Sequence, residues 1–318
     1  MVAAPLRIAS RGSELALWQS RAVEAALRAA DPACGVEIRV IRTTGDRIQD
    51  VPLAKIGDKG LFTKELDAAL LAGDADLAVH SLKDVPTRIP DGLVLAAVTR
   101  REDPRDVLLL APGRTGGLDA LPPRARVGTS SLRRRAQLAA LRPDLDIADL
   151  RGNLNTRLAK LDGGDYDAIV LAAAGVLRLG WRERIAAYLE PDAWLPAVGQ
   201  GALAVIARAA SPVLERLEPL HDPETAACTT AERSLLRALE GGCQVPIGAL
   251  GRMEEGRLVV DALVADLAGE RIVRTRQSGT MDEAEYIGAH AADHLRAAGA
   301  GEILARIRAE FAPQPAAP

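Results

Sequence analysis

Arginine and hydroxyl side chains follow three successive predicted strands in the middle of the chain, at 126–129, 147–150 and 166–172. The residues concerned are Thr129, Ser131, Arg133, Arg134, Arg151, Arg157 and Arg178. Because the carboxyl ends of parallel strands share one edge of a sheet, these side chains are expected to converge. Guanidinium groups bind carboxylate and phosphate bidentately, so the pattern indicates a polyanion site. Phosphate stays the alternative to carboxylate, although no Walker or dinucleotide fingerprint is present.

Three consecutive arginines, Arg133 to Arg135, stand in the first turn of the helix predicted at 132–141. Positive charge there opposes the helix dipole, whose amino end is already positive. We therefore expect an anionic partner beside them.

A comparable turn lies near the amino terminus. A strand predicted at 6–10 is followed by Arg11-Gly12-Ser13 and by a helix at 14–30 that Ser13 can cap. An arginine beside the N–H groups of a helix entrance suits a carboxylate or phosphate. A surface arginine next to an ordinary helix cap explains the same residues equally well.

The buried strand predicted at 76–80 ends in Ser81, Lys83 and Asp84. Doubly wound folds bind ligands at such strand ends, so Asp84 is expected to project into a cleft. The alternative is that Lys83 and Asp84 form a surface ion pair. The polar stretch 43–60 is too long for an ordinary connection and is predicted to be a mobile flap that carries Lys55 and Lys59.

The segment 229–250 is predicted to hold Cys243 in a short turn at a helix exit. Thr229 and Glu232 have capping-box spacing for that helix, and Gly241-Gly242 would end it. A helix exit is electronegative and does not acidify a thiol, which argues against a redox or protease nucleophile. Two interpretations stay open: a buried structural cysteine, or one that is alkylated once and remains so.

Composition excludes several classes of protein. The 318 residues include 40 basic and 43 acidic ones, and the net charge of −3 gives no general attraction to nucleic acid. Apolar residues make up 48%, yet no run reaches the roughly 18 apolar residues of a membrane span. The amino terminus lacks a secretion-signal pattern, so cytoplasmic residence is expected. Three cysteines and four histidines, without an HExxH motif, predict neither disulfides nor a metal site.

The order of the predicted elements indicates an α/β fold with three domains. Two doubly wound lobes with paired crossovers resemble periplasmic binding proteins, and a small α+β domain with a three-stranded antiparallel sheet follows. The predicted boundaries are 1–99 plus 201–219 for domain 1, 104–195 for domain 2, 222–312 for domain 3, and 313–318 for a disordered tail. Segment 100–106 is predicted to be a hinge, and 196–208 a strand that returns to domain 1.

Seven segments, in the order in which they occur, resemble the porphobilinogen deaminase (hydroxymethylbilane synthase) family. They are RIASRGSELAL, IGDKGLFTKEL, HSLKDVP, VGTSSLRR, RGNLNTRL, PAVGQGAL and ERSLLRALEGGCQVPIG, and together they extend from residue 7 to 248. The resemblance implies a transferase that condenses four porphobilinogens into hydroxymethylbilane with loss of ammonia. It also implies a dipyrromethane cofactor bound to Cys243 through a thioether.

The resemblance assigns roles to the remaining site residues. Asp84 would be catalytic, by stabilising the azafulvenium cation that forms as ammonia leaves. Cofactor carboxylates would be held by Ser81, Lys83, Thr129, Ser131, Arg133 and Arg134. The substrate and growing chain would be bound by Arg11, Ser13, Gln19, Phe62, Arg151, Arg157 and Arg178. The protein is expected to act as a monomer without metal, nucleic acid or membrane.

Two other functions were weighed against this one. A non-enzymatic, two-lobed anion-binding protein explains the arginines but leaves the Cys243 segment and the third domain without a role. A phosphoryl-transfer enzyme would need a phosphate-binding loop, and the sequence contains none.

Overall fold

A computed structural model of the chain describes residues 5–47, 60, 62–239 and 245–311. Three residues singled out from the sequence, Lys55, Lys59 and Cys243, lie outside these ranges, as does the tail 313–318.

Strands and helices alternate through most of the described chain. The strands are β1 (Leu6–Ser10), β2 (Val36–Val40), β3 (Leu77–Ser81), β4 (Leu93–Val98), β5 (Asp106–Leu110), β6 (Arg126–Gly128), β7 (Asp146–Ala148), β8 (Ala168–Ala172), β9 (Ile185–Leu189), β10 (Leu203–Arg208), β11 (Ile247–Glu254), β12 (Arg257–Ala265) and β13 (Ile272–Gly279). The longer helices are α1 (Glu14–Ala30), α2 (Lys64–Ala72), α3 (Leu132–Leu141), α4 (Leu154–Asp162), α5 (Ala173–Arg178), α6 (Pro223–Ala238), α7 (Ala284–Ala297) and α8 (Ala300–Glu310). Single helical turns occur at Thr44–Arg47, Leu82–Asp84, Leu118–Ala120, Arg182–Arg184, Leu214–Leu217, Glu218–Leu220 and Met281–Glu283.

Within the described residues the strands form three sheets. The first has the order β2-β1-β3-β10-β4 and the second the order β7-β6-β8-β5-β9. In both, the first three strands are parallel and the fourth runs antiparallel to its two neighbours. Apolar clusters cover both faces of each of these sheets, as expected of doubly wound lobes. The third sheet is the antiparallel meander β11-β12-β13, so the predicted fold class is confirmed.

The lobes nevertheless differ in detail from the parallel sheets that the sequence predicts. Strands β5 and β9 are not predicted, and the returning strand β10 begins at Leu203 rather than at residue 196. The chain enters the second lobe on β5 and returns to the first on β10, and each of these crossing strands runs against its neighbours. Gly201 explains the late start of β10: its φ is +95°, and a Cβ there would lie 2.4 Å from the carbonyl oxygen of Glu102.

Helices α1 and α3 have the bounds that the sequence predicts. The Ser13 hydroxyl accepts a hydrogen bond from the N–H of Ala16 at 3.3 Å and caps α1. The Ser131 hydroxyl accepts one from the N–H of Arg134 at 3.4 Å and caps α3. Both caps lie where a parallel strand has just ended, so they hold the following polar side chains at the edge of a sheet.

The capping box predicted at Thr229 and Glu232 is wrong. Helix α6 begins six residues earlier, where Asp222 accepts a hydrogen bond from the N–H of Thr225 at 2.8 Å and Pro223 occupies the first turn. An aspartate cap followed by proline is the stronger start signal. Thr229 lies inside the helix and donates to the carbonyl oxygen of Thr225 at 2.7 Å.

Glu232 instead joins the third sheet to both crossings between the lobes. Its carboxylate is fully buried and pairs with Arg101 at 2.6 Å. It also accepts hydrogen bonds from the N–H groups of Gly199 at 2.6 Å and Gly251 at 2.7 Å. Arg101 belongs to the first crossing, Gly199 to the second, and Gly251 to β11. One carboxylate therefore ties together three parts of the fold.

We predict that Glu232→Gln destabilises the chain by about 3–5 kcal/mol, since it leaves the buried Arg101 without a counter-charge. The measurement is urea unfolding followed by circular dichroism. Glu285→Gln is the matched control, because the Glu285 side chain is 72% exposed where it pairs with Arg237. That change should cost about 0.5 kcal/mol or less. Equal midpoints for the two variants would contradict this role for Glu232.

Candidate active site

The carboxyl ends of β1 and β3 bring together the polar residues predicted in the first lobe. Arg11 and Ser13 follow β1, and Ser81 ends β3. Gln19 reaches across from α1, and its amide donates a hydrogen bond to the Ser81 hydroxyl at 2.7 Å. The Arg11 guanidinium lies over the ring of Phe62 at 4.2 Å from the ring centroid. Five residues predicted separately along the sequence thus share one edge of the sheet.

The second lobe repeats this arrangement with more positive charge. Thr129 follows β6, and its hydroxyl accepts a hydrogen bond from the N–H of Ser131 at 3.2 Å. Arg133 and Arg134 are buried in the first turn of α3. The other predicted arginines follow the neighbouring strands β7 and β8: Arg151, Arg157 and Arg178.

The anion expected beside the arginines of α3 includes a carboxylate of the chain itself. Asp106, fully buried at the start of β5, accepts hydrogen bonds at 2.7 Å from both Arg133 and Arg134. Burial alone would raise the pKa of Asp106, but the charges and hydrogen bonds of the two arginines outweigh it and hold the pKa far below its usual range. One carboxylate faces two guanidinium groups, so the cluster keeps an excess positive charge.

Lys83 and Asp84 occupy the helical turn that follows β3. The Lys83 ammonium lies 3.4 Å from the side-chain oxygen of Gln200. Burial lowers the pKa of Lys83 to about 8, although the negative charge of Asp84 opposes the shift. Burial likewise lowers the pKa of Arg157 to about 10, helped by the charges of Arg134 and Arg151 and again opposed by Asp84. Asp84 therefore interacts with cations of both lobes.

Two of the clustered arginines have hydrogen-bond capacity to spare. In the part of the chain that the structure describes, the Nε atoms of Arg134 and Arg151 are buried without a hydrogen-bond partner. A buried donor left unpaired costs about 1–3 kcal/mol, so such atoms indicate places where a ligand's acceptor belongs. Both atoms belong to residues that the sequence assigns to anion binding.

Arg178 connects the second lobe to the crossing and to α1. Its guanidinium donates to the carbonyl oxygen of Gly201 at 2.6 Å and lies 5.6 Å from the ring centroid of Trp18. Burial lowers the pKa of Arg178 to about 10. Trp18 is 38% exposed, which is unusual for so large an apolar side chain.

Sequence reasoning misses three residues of this site: Trp18, Asp106 and Gln200. The Gln200 amide donates to the carbonyl oxygen of Pro104 at 2.7 Å and to Asp106 at 2.9 Å. A lone apolar Trp18 in a helical pattern indicates core rather than cleft. Asp106 and Gln200 belong to crossings whose pairing only the folded chain creates. The analysis also overlooks that His290 and His294 are spaced four residues apart on one helix.

The two cysteines within the described ranges are poor candidates for modification. Cys34 and Cys228 are both 5% exposed. Burial raises the pKa of the Cys228 thiol to about 11, with the nearby charge of Glu232 adding to the shift. Thiolate, the reactive form, is therefore suppressed at Cys228.

No group of three or more histidine, cysteine, aspartate or glutamate side chains that could hold a metal ion occurs among the described residues. The helices of those residues also include none that is long and apolar enough to cross a bilayer.

We predict that the fold loses stability in mild acid because of His80, the last residue but one of β3. Burial, reinforced by the charge of Arg11, lowers the pKa of His80 from 6.5 to about 4. Because the folded pKa lies below the unfolded one, the stabilisation is complete above pH 6.5 and is lost as the pH falls toward 4. Between pH 7.5 and 5 this amounts to about 2 kcal/mol.

Urea unfolding at these two pH values tests the prediction. His80→Gln removes the titrating group, so its unfolding free energy should depend less on pH by that amount. The same pH dependence in His80→Gln and in the unchanged chain would contradict it.

Known proteins resemble this chain over almost its whole length. Residues 6–216 match the family model described as "Porphobilinogen deaminase, dipyromethane cofactor binding domain", and residues 226–297 match "Porphobilinogen deaminase, C-terminal domain". A porphobilinogen deaminase of Syntrophobacter fumaroxidans is 52% identical over 95% of this chain and 97% of its own length. One of Desulforudis audaxviator is 54% identical over 95% of this chain and 97% of its own length.

A third relative and one solved structure complete the comparison. A porphobilinogen deaminase of Prochlorococcus marinus is 51% identical over 99% of this chain and its own full length. The periplasmic VFT2 domain of Bordetella pertussis BvgS has a TM-score of 0.42 at 17% identity, over 68% of this chain and 86% of its own. On the family models and the three relatives, the chain belongs to the porphobilinogen deaminase family.

Proposed function

We propose that this chain is a hydroxymethylbilane synthase, a transferase that condenses four porphobilinogen molecules into linear hydroxymethylbilane and releases one ammonia at each step. The observation that carries the proposal is the cluster of buried, incompletely paired arginines around Asp84, at the facing edges of two lobes, in a member of this family. Each porphobilinogen has an acetate and a propionate, so the bound chain is a polyanion that needs such a cluster.

The residues fit a dipyrromethane cofactor. The buried Nε of Arg134 lacks an acceptor, and Arg133 and Arg134 share a single protein carboxylate between two positive charges. The cofactor's carboxylates would complete these interactions, with help from Lys83, Ser81, Thr129 and Ser131. When bound, the cofactor supplies the free pyrrole carbon to which the first substrate is joined.

We assign the covalent attachment to Cys243, through a thioether. The family-like segment around it supports this assignment, and so does the burial of the other two cysteines. The ends of the segment, Leu239 and Val245, both pack into the core of the third sheet, so the cysteine is tethered to a fixed part of the fold.

Substrate binding falls to the residues that surround this cluster. Arg151 and Arg157 would pair with carboxylates of the incoming porphobilinogen, since the Arg151 Nε is buried without a partner and burial has already stripped the Arg157 guanidinium of water. Arg11, Ser13, Gln19, Phe62 and Arg178 would complete the binding surface. Bidentate guanidinium–carboxylate contacts fix orientation, which lysine in these places would not do.

Asp84 performs the catalytic step. When the bond between the substrate's aminomethyl carbon and its nitrogen breaks, ammonia leaves with the bonding electrons and the substrate is left as a pyrrole-stabilised cation. The Asp84 carboxylate would accept the hydrogen bond of the pyrrole N–H and stabilise that positive charge. The arginines nearby would otherwise disfavour a cation, so a carboxylate is needed at this point.

The remaining expectations concern regions and properties beyond these contacts. Lys55 and Lys59 stay predicted flap residues that would cover bound substrate. Cytoplasmic residence, a monomeric state and the absence of nucleic-acid and membrane partners remain predictions from the sequence. The three-domain boundaries likewise remain a proposal.

We predict that Asp84→Ala folds and binds porphobilinogen but loses turnover by at least about 100-fold, because the cation is no longer stabilised. The measurements are the rate of porphobilinogen consumption and the urea midpoint of the same preparation. Asp91→Ala, at an exposed position in the next turn of the chain, is the matched control and should keep full activity.

The competing function is anion binding without chemistry. A two-lobed binding protein would retain porphobilinogen unchanged, and Asp84→Ala would then behave as the control does. Turnover of Asp84→Ala within a few-fold of the unchanged chain would remove Asp84 from the mechanism.

A further inference from the structure

Two histidines lie side by side on helix α7, in the third part of the fold. The Nε2 atoms of His290 and His294 are 3.1 Å apart, and the ring centroids are 4.5 Å apart with the planes at 76°. Histidines at positions i and i+4 face the same way on a helix, and this spacing supplies two zinc ligands in helical metalloprotease motifs.

The distance between the two nitrogens suits a single metal ion. Metal–imidazole bonds are about 2.0–2.1 Å long, so two nitrogens 3.1 Å apart subtend an angle of roughly 98° at the metal. That angle lies between those of cis octahedral and tetrahedral ligands. Imidazole is a preferred ligand of copper, nickel and zinc ions.

The helix holds both rings in place before any metal arrives. The inner face of α7 is buried, and it packs against α6, α8, β12 and β13. At Gly288 a Cβ would lie 2.1 Å from the carbonyl oxygen of Ala231, so the two helices are in direct backbone contact. On the outer face, the ring of Tyr286 stacks on that of His290 at 5.5 Å and 10°. Little ordering is therefore left for the metal to impose.

The site is open to solvent and has two protein ligands. His294 is exposed and His290 half-buried, so water can fill the other coordination positions. Asp293, the carboxylate nearest in sequence, pairs with Arg296 at 3.0 Å. No set of three metal-ligating side chains occurs in the described residues, which indicates a weak, exchangeable site rather than a structural one.

We propose that His290 and His294 form a surface chelating site for one divalent transition-metal ion, held through the two Nε2 atoms and completed by water. Copper should bind more tightly than nickel or zinc, as the general order of affinities for nitrogen ligands requires. The site is separate from the Asp84 cluster and serves no step of the proposed reaction.

The test is isothermal titration of untagged, full-length protein with Ni²⁺ at pH 7.5, in a buffer that does not bind metal. We expect one equivalent to bind, and His290→Gln or His294→Gln to weaken that binding by at least about tenfold. The matched control combines His294→Ala with Ala297→His at an exposed position, which keeps two histidines but places them seven residues apart. It should bind as weakly as the single variants.

Porphobilinogen turnover, measured on the same preparations, should be unchanged in every variant, which also reports that the variants are folded. Two results would overturn the proposal: no saturable binding up to about 1 mM Ni²⁺, or binding that survives in His294→Gln.

Discussion

Two buried carboxylates, Asp106 and Glu232, hold the molecule together at the points where its chain passes between lobes. Glu232 pairs with Arg101 and fixes backbone N–H groups of the second crossing and of β11. Asp106 pairs with Arg133 and Arg134, and accepts further hydrogen bonds from Trp194 at 2.7 Å and Gln200 at 2.9 Å. A charge buried this deeply is tolerated only when it is paired and fully hydrogen-bonded. The crossings are thus fixed in the same contacts that hold the arginines.

The same arrangement makes the cleft a site for anions. Asp106 neutralises one of the two arginine charges beside it, and the remaining excess is joined by Lys83, Arg151 and Arg157. Burial lowers the pKa values of these last three groups, which means that their charged forms lack some of their hydration. Carboxylates of a bound pyrrole chain would restore that stabilisation. Asp84 stands among these cations as the acidic group suited to a different task, the stabilisation of positive charge in the substrate.

Sequence reasoning predicts best what depends on neighbours along the chain. Helices α1 and α3 have the predicted bounds because serine caps and apolar periodicity determine them locally. The edge on which Arg11, Ser81, Thr129 and Arg151 converge also follows, since parallel strands end together. What fails depends on distant partners: Asp106 meets Arg133 across 27 residues, and Glu232 meets Arg101 across 131. The roles of Asp84 and Cys243 came from family resemblance, because neither residue's local pattern distinguishes chemistry from an ion pair or a buried thiol.

The central claim is that Cys243 carries a covalent dipyrromethane whose carboxylates the arginine cluster binds. The most direct measurement is the intact mass of the untagged protein beside that of Cys243→Ser, before and after incubation with porphobilinogen. The account predicts an excess of two linked pyrrole units on the unchanged chain and none on Cys243→Ser. No excess on the unchanged chain even after incubation, or an equal excess on Cys243→Ser, would contradict it.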